Sequence, residues 1–265
     1  MKQLLLTAIT FVSIFLNGCS KDGEGFNLFT IDDDKELGLQ VKQEIESQPG
    51  QYPILSKTTY SAAYSYLNGI RNDILAAGKV THRDDFVWEM NIIKDDSVLN
   101  AFCTPGGYIY VYTGLIKYLD NKSSLAGVLG HEMAHADKRH STEMLTKQYG
   151  IQLLLDIVVG KNQNAITQVL GGITSLSFSR ANETEADKYS VVYLCPSPYH
   201  ADGAANFFQK IINQGTSNPP EFLSTHPNPD NRVQNIHNEA STLGCTATID
   251  QTKDVAEYSQ FKNSL

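Results

Sequence analysis

The 265-residue sequence is short of basic residues, of cysteine and of long apolar runs. Lys and Arg number 21 against 29 Asp and Glu, for a formal net charge of −8. Residues 1–18 carry only Lys2, so without them the charge is −8 − 1 = −9. With no basic stripe and no zinc-finger spacing, this balance excludes a nucleic-acid binder. Leu4 to Leu16, interrupted by Thr7, Thr10 and Ser13, is too short to span a bilayer comfortably. Ile151–Gly160 is apolar but shorter still, and contains Asp156. No internal repeat and no linker divides the rest of the chain. The whole sequence is 41% hydrophobic and 19% charged, ordinary for a globular domain with a sizeable core.

The N-terminus reads as an address. Lys2 is a short basic region, the apolar run follows, and Leu16-Asn17-Gly18-Cys19 resembles a bacterial lipobox, with Asn17 unusual at its position. The resemblance implies cleavage before Cys19 and lipidation of its thiol; the plainer reading is a secretory signal with an incidental cysteine. The Cys falls where the apolar run stops, which favours the lipoprotein. Residues 1–18 are thus expected to be a signal peptide, 19–30 a lipidated tether, and 31–265 one domain. Of four cysteines, Cys103, Cys195 and Cys245 remain in the body, an odd count that suggests one disulfide and one lone thiol. Cys195 and Cys245, near segment ends beside Pro196 and Gly244, are the favoured pair. Cys103 lies in an apolar strand-like run and reads as a buried thiol.

Residues 131–135 read His-Glu-Met-Ala-His, and 183–187 read Glu-Thr-Glu-Ala-Asp. On a helix His131 and His135 stand one turn apart on one face, the spacing two imidazoles need to hold one Zn²⁺. Glu132 lies about 100° round, placed to act on water. A catalytic zinc takes three protein ligands and keeps a fourth position open; Glu183 would be the third. Such a pentad arises by chance in roughly 1% of chains this long. The bland reading is a polar helix face with two solvated histidines. Against it, Leu125, Val128, Leu129 and Met133 form an apolar stripe, so the helix is buried and its polar residues need partners.

Periodicity places helices at 32–47, 55–77, 123–140, 143–159, 166–176, 183–194, 204–212 and 232–242, with helical structure restarting at 115–119. Ser123 or Ser124 is the expected cap of the histidine-bearing helix. Strands are expected at 86–93, 101–103 and 108–112, with a Thr-Pro-Gly-Gly turn between the last two. Residues 215–231 form a Pro-rich loop holding His226, Pro219, Pro220, Pro227 and Pro229, and the last twenty residues are weakly patterned. The expected class is α+β, mostly helical, with a small antiparallel sheet beside the HExxH helix.

Asn100-Ala101-Phe102, Pro105-Gly106-Gly107, Thr113-Gly114-Leu115-Ile116, the HExxH pentad, Glu-x-x-Ala-Asp and a later Thr-His-Pro followed by Arg occur in order. The series resembles the gluzincin metallopeptidases typified by HtpX and the CAAX prenyl protease, nearest to their periplasmic, often lipidated members without transmembrane helices. It covers roughly residues 40–242. The resemblance implies a zincin-like domain with one zinc per chain, held by His131, His135 and Glu183, and Glu132 as general base. It also implies Asp187 as an acid orienting a ligand histidine, His226 as an oxyanion stabiliser or occupant of the open position, and Arg232 as the partner of buried acids. Some members carry tetratricopeptide repeats after this domain; none is expected here, and with them no repeat-based chaperone function. On chemistry alone Glu185 could also ligate, but it points about 200° away from Glu183, whereas Asp187 shares that residue's face. On a continuous helix His140 faces opposite the ligands; His82, His200 and His237 have no metal spacing. Tyr108–Tyr112 is the expected edge strand for an extended peptide, with an ordinary core strand as its plainer reading. The expected function is a membrane-anchored zinc endopeptidase of the bacterial envelope, on the outer membrane facing the periplasm, clearing misfolded envelope proteins. The alternatives are a latent zinc lipoprotein whose closed site serves binding or assembly, and an amidase acting on peptidoglycan.

Overall fold

The computed structural model describes residues 29–215, 221–228 and 230–265. The expected signal peptide, Cys19, Pro219, Pro220 and Pro229 lie outside the described residues. The described residues start at Phe29, inside the stretch expected as a tether. Phe29 is buried, and Thr30 closes a capping box with Asp33 that starts α1 (Ile31–Ser47). After α2 (Ser61–Ala76) come β1 (Glu89–Ile93), β2 (Ala101–Thr104), a tight 3-10 turn at Pro105–Gly107 and β3 (Tyr108–Tyr112).

The chain then becomes helical: α3 (Thr113–Tyr118), α4 (Lys122–Asp137), α5 (His140–Tyr149), α6 (Ile151–Val158) and α7 (Ile166–Ser175). It continues as α8 (Arg180–Leu194), α9 (Gly203–Gln214), the single turn α10 (Phe222–Thr225), α11 (Arg232–Thr242) and α12 (Gln251–Lys262). The one helix expected at 143–159 is broken at Gly150, whose φ of 81° no helix interior accepts. The weakly patterned tail is α12, capped by Asp250 and pinned by buried Tyr258 and Phe261. Among the described residues no helix is long and apolar enough to cross a membrane.

The mostly helical α+β class holds, but the sheet is mixed. Its order is β1-β3-β2, with β1 parallel and β2 antiparallel to β3. Tyr108–Tyr112 is therefore the central strand, paired on both sides, and not the expected edge. Alternation along the strands divides the core. Met90, Ile92, Cys103, Ile109 and Val111 pack into a large cluster with α2, α4, α8 and α9. Phe102, Tyr108, Tyr110 and Tyr112 face a smaller cluster with α1, α6 and α7. Phe102 stacks across the strands on Tyr110, its register partner, at 4.8 Å.

In α4 every residue from Ser123 to Asp137 is buried. Its buried polar side chains need partners as well as cover, and β2, α8 and α9 surround the helix. Its cap is Asn121, which accepts from Ser124 N, rather than Ser123 or Ser124. The crossing with α9 depends on paired glycines: a Cβ on Gly127 would lie 2.1 Å from Ala204 N, and one on Gly203 2.0 Å from Ser123 O. Cys195, ending α8, is joined by a disulfide to Cys245 beyond α11, and Cys103 is a buried free thiol. Tyr193 and the backbone N–H groups of Thr81 and His82 all donate to buried Asp137 at the end of α4.

Candidate metal centre

Three segments converge on one buried point. α4 delivers His131, Glu132 and His135. α8 is started by Ser179 in a capping box with Asn182, which sets Glu183 in the first helical turn and Asp187 one turn on. The segment after α10 delivers His226, whose N–H donates to Phe222 O and whose ring stacks on Phe222 at 4.1 Å. His131, Glu132, His135, Glu183 and His226 are each 0% exposed, so water does not compete for them.

His131, His135, Glu183 and His226 place donor atoms within 4.8 Å of one another, a group able to hold a metal ion. Nε2 of His131 and Nε2 of His135 are 3.0 Å apart, and the latter is 3.2 Å from Glu183 Oε1. His226 Nδ1 stands 3.1 Å from that oxygen and 3.4 Å from His131 Nε2. Four donors at zinc's bond length of about 2.0–2.1 Å form a tetrahedron with edges of roughly 3.3 Å. These four spacings lie near that value, within a group that extends to 4.8 Å, and the nitrogen and carboxylate donors suit zinc. The protonation states agree. Burial holds His131 and His135 far below the usual histidine range, leaving neutral imidazoles with lone pairs to give. Burial would raise Glu183, but His226, His135 and His131 outweigh it and keep the carboxyl well below its ordinary value.

Around these donors sits a set of orienting groups. Asp187 Oδ1 is 3.0 Å from His131 Nδ1, so it can fix that ring's proton. Arg232 is 2% exposed; its Nη2 donates to Asp187 Oδ1 at 2.7 Å and pairs with Glu183 Oε2 at 2.9 Å. Its guanidinium carbon lies 3.7 Å over the Phe208 ring. Burial raises Asp187 to about 6, against the pull of Arg232.

Glu132 differs from its neighbours. Neither carboxylate oxygen has a hydrogen-bond partner among the described residues. Burial pushes its pKa up to about 7. The nearest cation is His226, whose Nε2 is 3.6 Å from Glu132 Oε1 and is itself without a hydrogen bond among the described residues. A buried carboxylate left unpaired costs stability, and one poised near neutrality suits proton transfer. Burial opposes charge on His226, yet Glu183 and Glu132 raise its pKa overall.

The structure thus brings together His131, Glu132, His135, Glu183, Asp187, His226 and Arg232. Sequence reasoning gave His140 a structural part but faced it away from the ligands, and it missed Phe178. α4 ends at Asp137, and Arg139 adopts a left-handed φ of 59° before α5 begins at His140. The break turns His140 back toward the site, so it does not face opposite the ligands as a continuous helix would place it. Its Nδ1 is 2.9 Å from His135 Nδ1, and its Nε2 is 3.4 Å from Glu185 Oε2. Arg139 carries no glycine-like signature to announce the turn; its guanidinium reaches Asp34 and the carbonyls of Phe29 and Thr30. Phe178, stacked on His135 at 3.9 Å, was also unforeseen.

The model of Peptidase family M48 matches residues 63–240. The chain is 29% identical to the beta-barrel assembly-enhancing protease of Yersinia pestis over 231 residues, 81% of this chain and 45% of the relative. It is 31% identical to the Escherichia coli (strain K12) protein of the same name over 167 residues, covering 57% and 34%. It is likewise 31% identical to mitochondrial metalloendopeptidase OMA1 of Saccharomyces cerevisiae over 218 residues, covering 76% and 60%. The match spans less than two thirds of each relative's length.

Proposed function

The chain belongs to peptidase family M48, and on that premise we propose that it is a zinc metalloendopeptidase of the bacterial cell envelope. In this reading a lipid on Cys19 holds it to the outer membrane facing the periplasm, and its substrates are misfolded or misassembled envelope proteins. The observation that carries the reading is Glu132: a fully buried carboxylate with neither oxygen hydrogen-bonded among the described residues, beside a group of donors able to hold a metal ion.

His131, His135 and Glu183 would hold the zinc, and Asp187 and Arg232 would orient and balance those ligands. When bound, zinc supplies a Lewis acid that polarises the scissile carbonyl and acidifies water. Glu132 takes the proton from the attacking water and hands it to the leaving amine. His226, with its raised pKa, donates to the oxyanion of the tetrahedral intermediate.

One observation favours a latent resting state. His226 Nδ1 lies at the fourth corner of the donor set, where a catalytic zinc keeps an open position. Its segment is docked by backbone bonds, Phe222 N to Leu99 O and Phe178 N to Thr225 O. Leu99 directly precedes the β2 side of the sheet, and Asn100 O is already taken by Tyr112 N of β3. An extended substrate would take the place of Phe222 at Leu99 O and pair with the outer edge at Leu99–Ala101 through main-chain bonds that are largely indifferent to sequence, while His226 turns from the fourth corner to the oxyanion.

The test is Glu132→Gln. The variant should retain about one zinc per chain while casein turnover falls by at least about 10²-fold, because it loses the base and no ligand. His135→Ala should lose both zinc and activity. Undiminished digestion by Glu132→Gln overturns the assignment.

A further inference from the structure

The two histidines on α4 are supported differently from behind. His131 meets a carboxylate directly, through Asp187 at 3.0 Å. His135 instead meets a second imidazole: its Nδ1 is 2.9 Å from Nδ1 of His140, which is 3% exposed. Two ring nitrogens this close, and buried, must be one N–H donor and one lone pair. Taking His135 as a metal ligand, its Nε2 faces His131 and Glu183, so that nitrogen's lone pair is committed. The proton of the neutral ring then sits on Nδ1, and His135 is the donor. His140 Nδ1 must accept, which moves the His140 proton to Nε2. That atom points at Glu185 Oε2, 3.4 Å away. A carboxylate accepts and cannot donate when ionised, so the order runs Glu185, His140, His135, metal, with every proton assigned.

We propose that His140 and Glu185 together are the positioning pair of the metal ligand His135, fixing its tautomer and ring plane. The pair exists because of the break at Arg139: without it His140 would continue α4 and point elsewhere. His140 is no alternative ligand, since its Nδ1 is spent on the back of the His135 ring. Phe178 stacks flat on that ring, so stacking and hydrogen bond constrain it together. Glu185 is the solvent end of the chain. Its side chain is 45% exposed, on the wall of a cleft of about 460 Å³ that also touches His140 and Asp137.

The proposal rests on the zinc reading above, and the experiment separates the two. Zinc affinity of wild type, His140→Phe, His140→Asn and Glu185→Ala is measured by competition with 4-(2-pyridylazo)resorcinol, beside the melting temperatures of the metal-free proteins. Asn keeps an acceptor oxygen near the place of Nδ1, and Phe does not. His140→Phe should weaken zinc binding about 10- to 100-fold and Glu185→Ala by about 3- to 10-fold, while His140→Asn stays within about threefold of wild type. A metal-free melting change shared by Phe and Asn cannot produce that contrast. Should His140→Phe fail to fold, exposed Glu185→Ala still decides. Wild-type affinity in Glu185→Ala, or Asn as weak as Phe, overturns the proposal while leaving the metal centre standing. A wild type that binds no zinc instead removes the metal centre, and the pair with it.

Discussion

Glu132 and His226 confront each other across 3.6 Å, each with polar atoms that no neighbour among the described residues satisfies. Folding alone does not favour such a pair, because each buried unpaired polar atom costs about 1–3 kcal/mol. The arrangement makes sense if a water or the scissile peptide engages both groups during turnover. His226 then has two duties, closing the fourth corner at rest and donating to the oxyanion in reaction. These duties predict opposite mutants. If His226 were only a latch, His226→Ala would raise casein turnover. The raised pKa of His226 favours a donor, so the expected result is turnover lowered about 10²–10³-fold with zinc retained. Single-turnover proteolysis and metal analysis on one preparation measure both quantities, and an unchanged rate removes His226 from the chemistry.

At the scale of elements, the position of the site depends on how closely α4 lies against its neighbours. Gly127 and Gly203 let the backbones of α4 and α9 touch, and α8 crosses the other side, where Ser190 Oγ donates to Gly127 O. Gly127→Ala would put a methyl group 2.1 Å from a backbone nitrogen, so a helix must move rather than a side chain. The expected cost is about 3 kcal/mol, the upper end for overpacked cores. It would be read as a lower urea midpoint with little change in slope. Because α4 carries His131 and His135 while α8 carries Glu183, the same shift should weaken zinc binding. A variant with wild-type midpoint and affinity would show that the crossing is looser than its backbone distances state.

The whole molecule is tied to its proposed anchor through the start of α1. Phe29 is buried in the smaller core cluster, and Arg139, next to His140, holds the carbonyls of Phe29 and Thr30. Residues 19–28 can span at most about 35 Å, so a lipid on Cys19 would keep the domain within that reach of the membrane. Cys19→Ser should leave a folded, zinc-binding protein that is unprocessed or soluble. Membrane fractionation with electrophoretic migration checks this, and a variant that fractionates and migrates like wild type removes the lipid anchor. Two or three acyl chains on one cysteine suffice for stable anchoring where one does not.

Much of the centre was legible in the linear sequence because its signals are local. Helical spacing alone puts His131 and His135 on one face, and Glu183 with Asp187 on another. The apolar pattern also announced a buried helix and a mostly α protein. Other features depended on contacts remote in sequence. Tyr108–Tyr112 reads as a strand by composition, yet only the pairing of β1 and β2 on either side makes it central and leaves the sheet edges to β1 and β2. The terminal helix α12 shows little pattern because few of its side chains, Tyr258 and Phe261 chief among them, meet the core. His140 and Glu185 escaped because a helical wheel assumes an unbroken helix. The left-handed Arg139 is held by Asp34 and by backbone more than a hundred residues upstream, and no residue near position 139 records that. Periodicity therefore determined which side chains could share a metal. Tertiary packing decided what stands behind them, because a turn imposed by distant partners leaves no period to read.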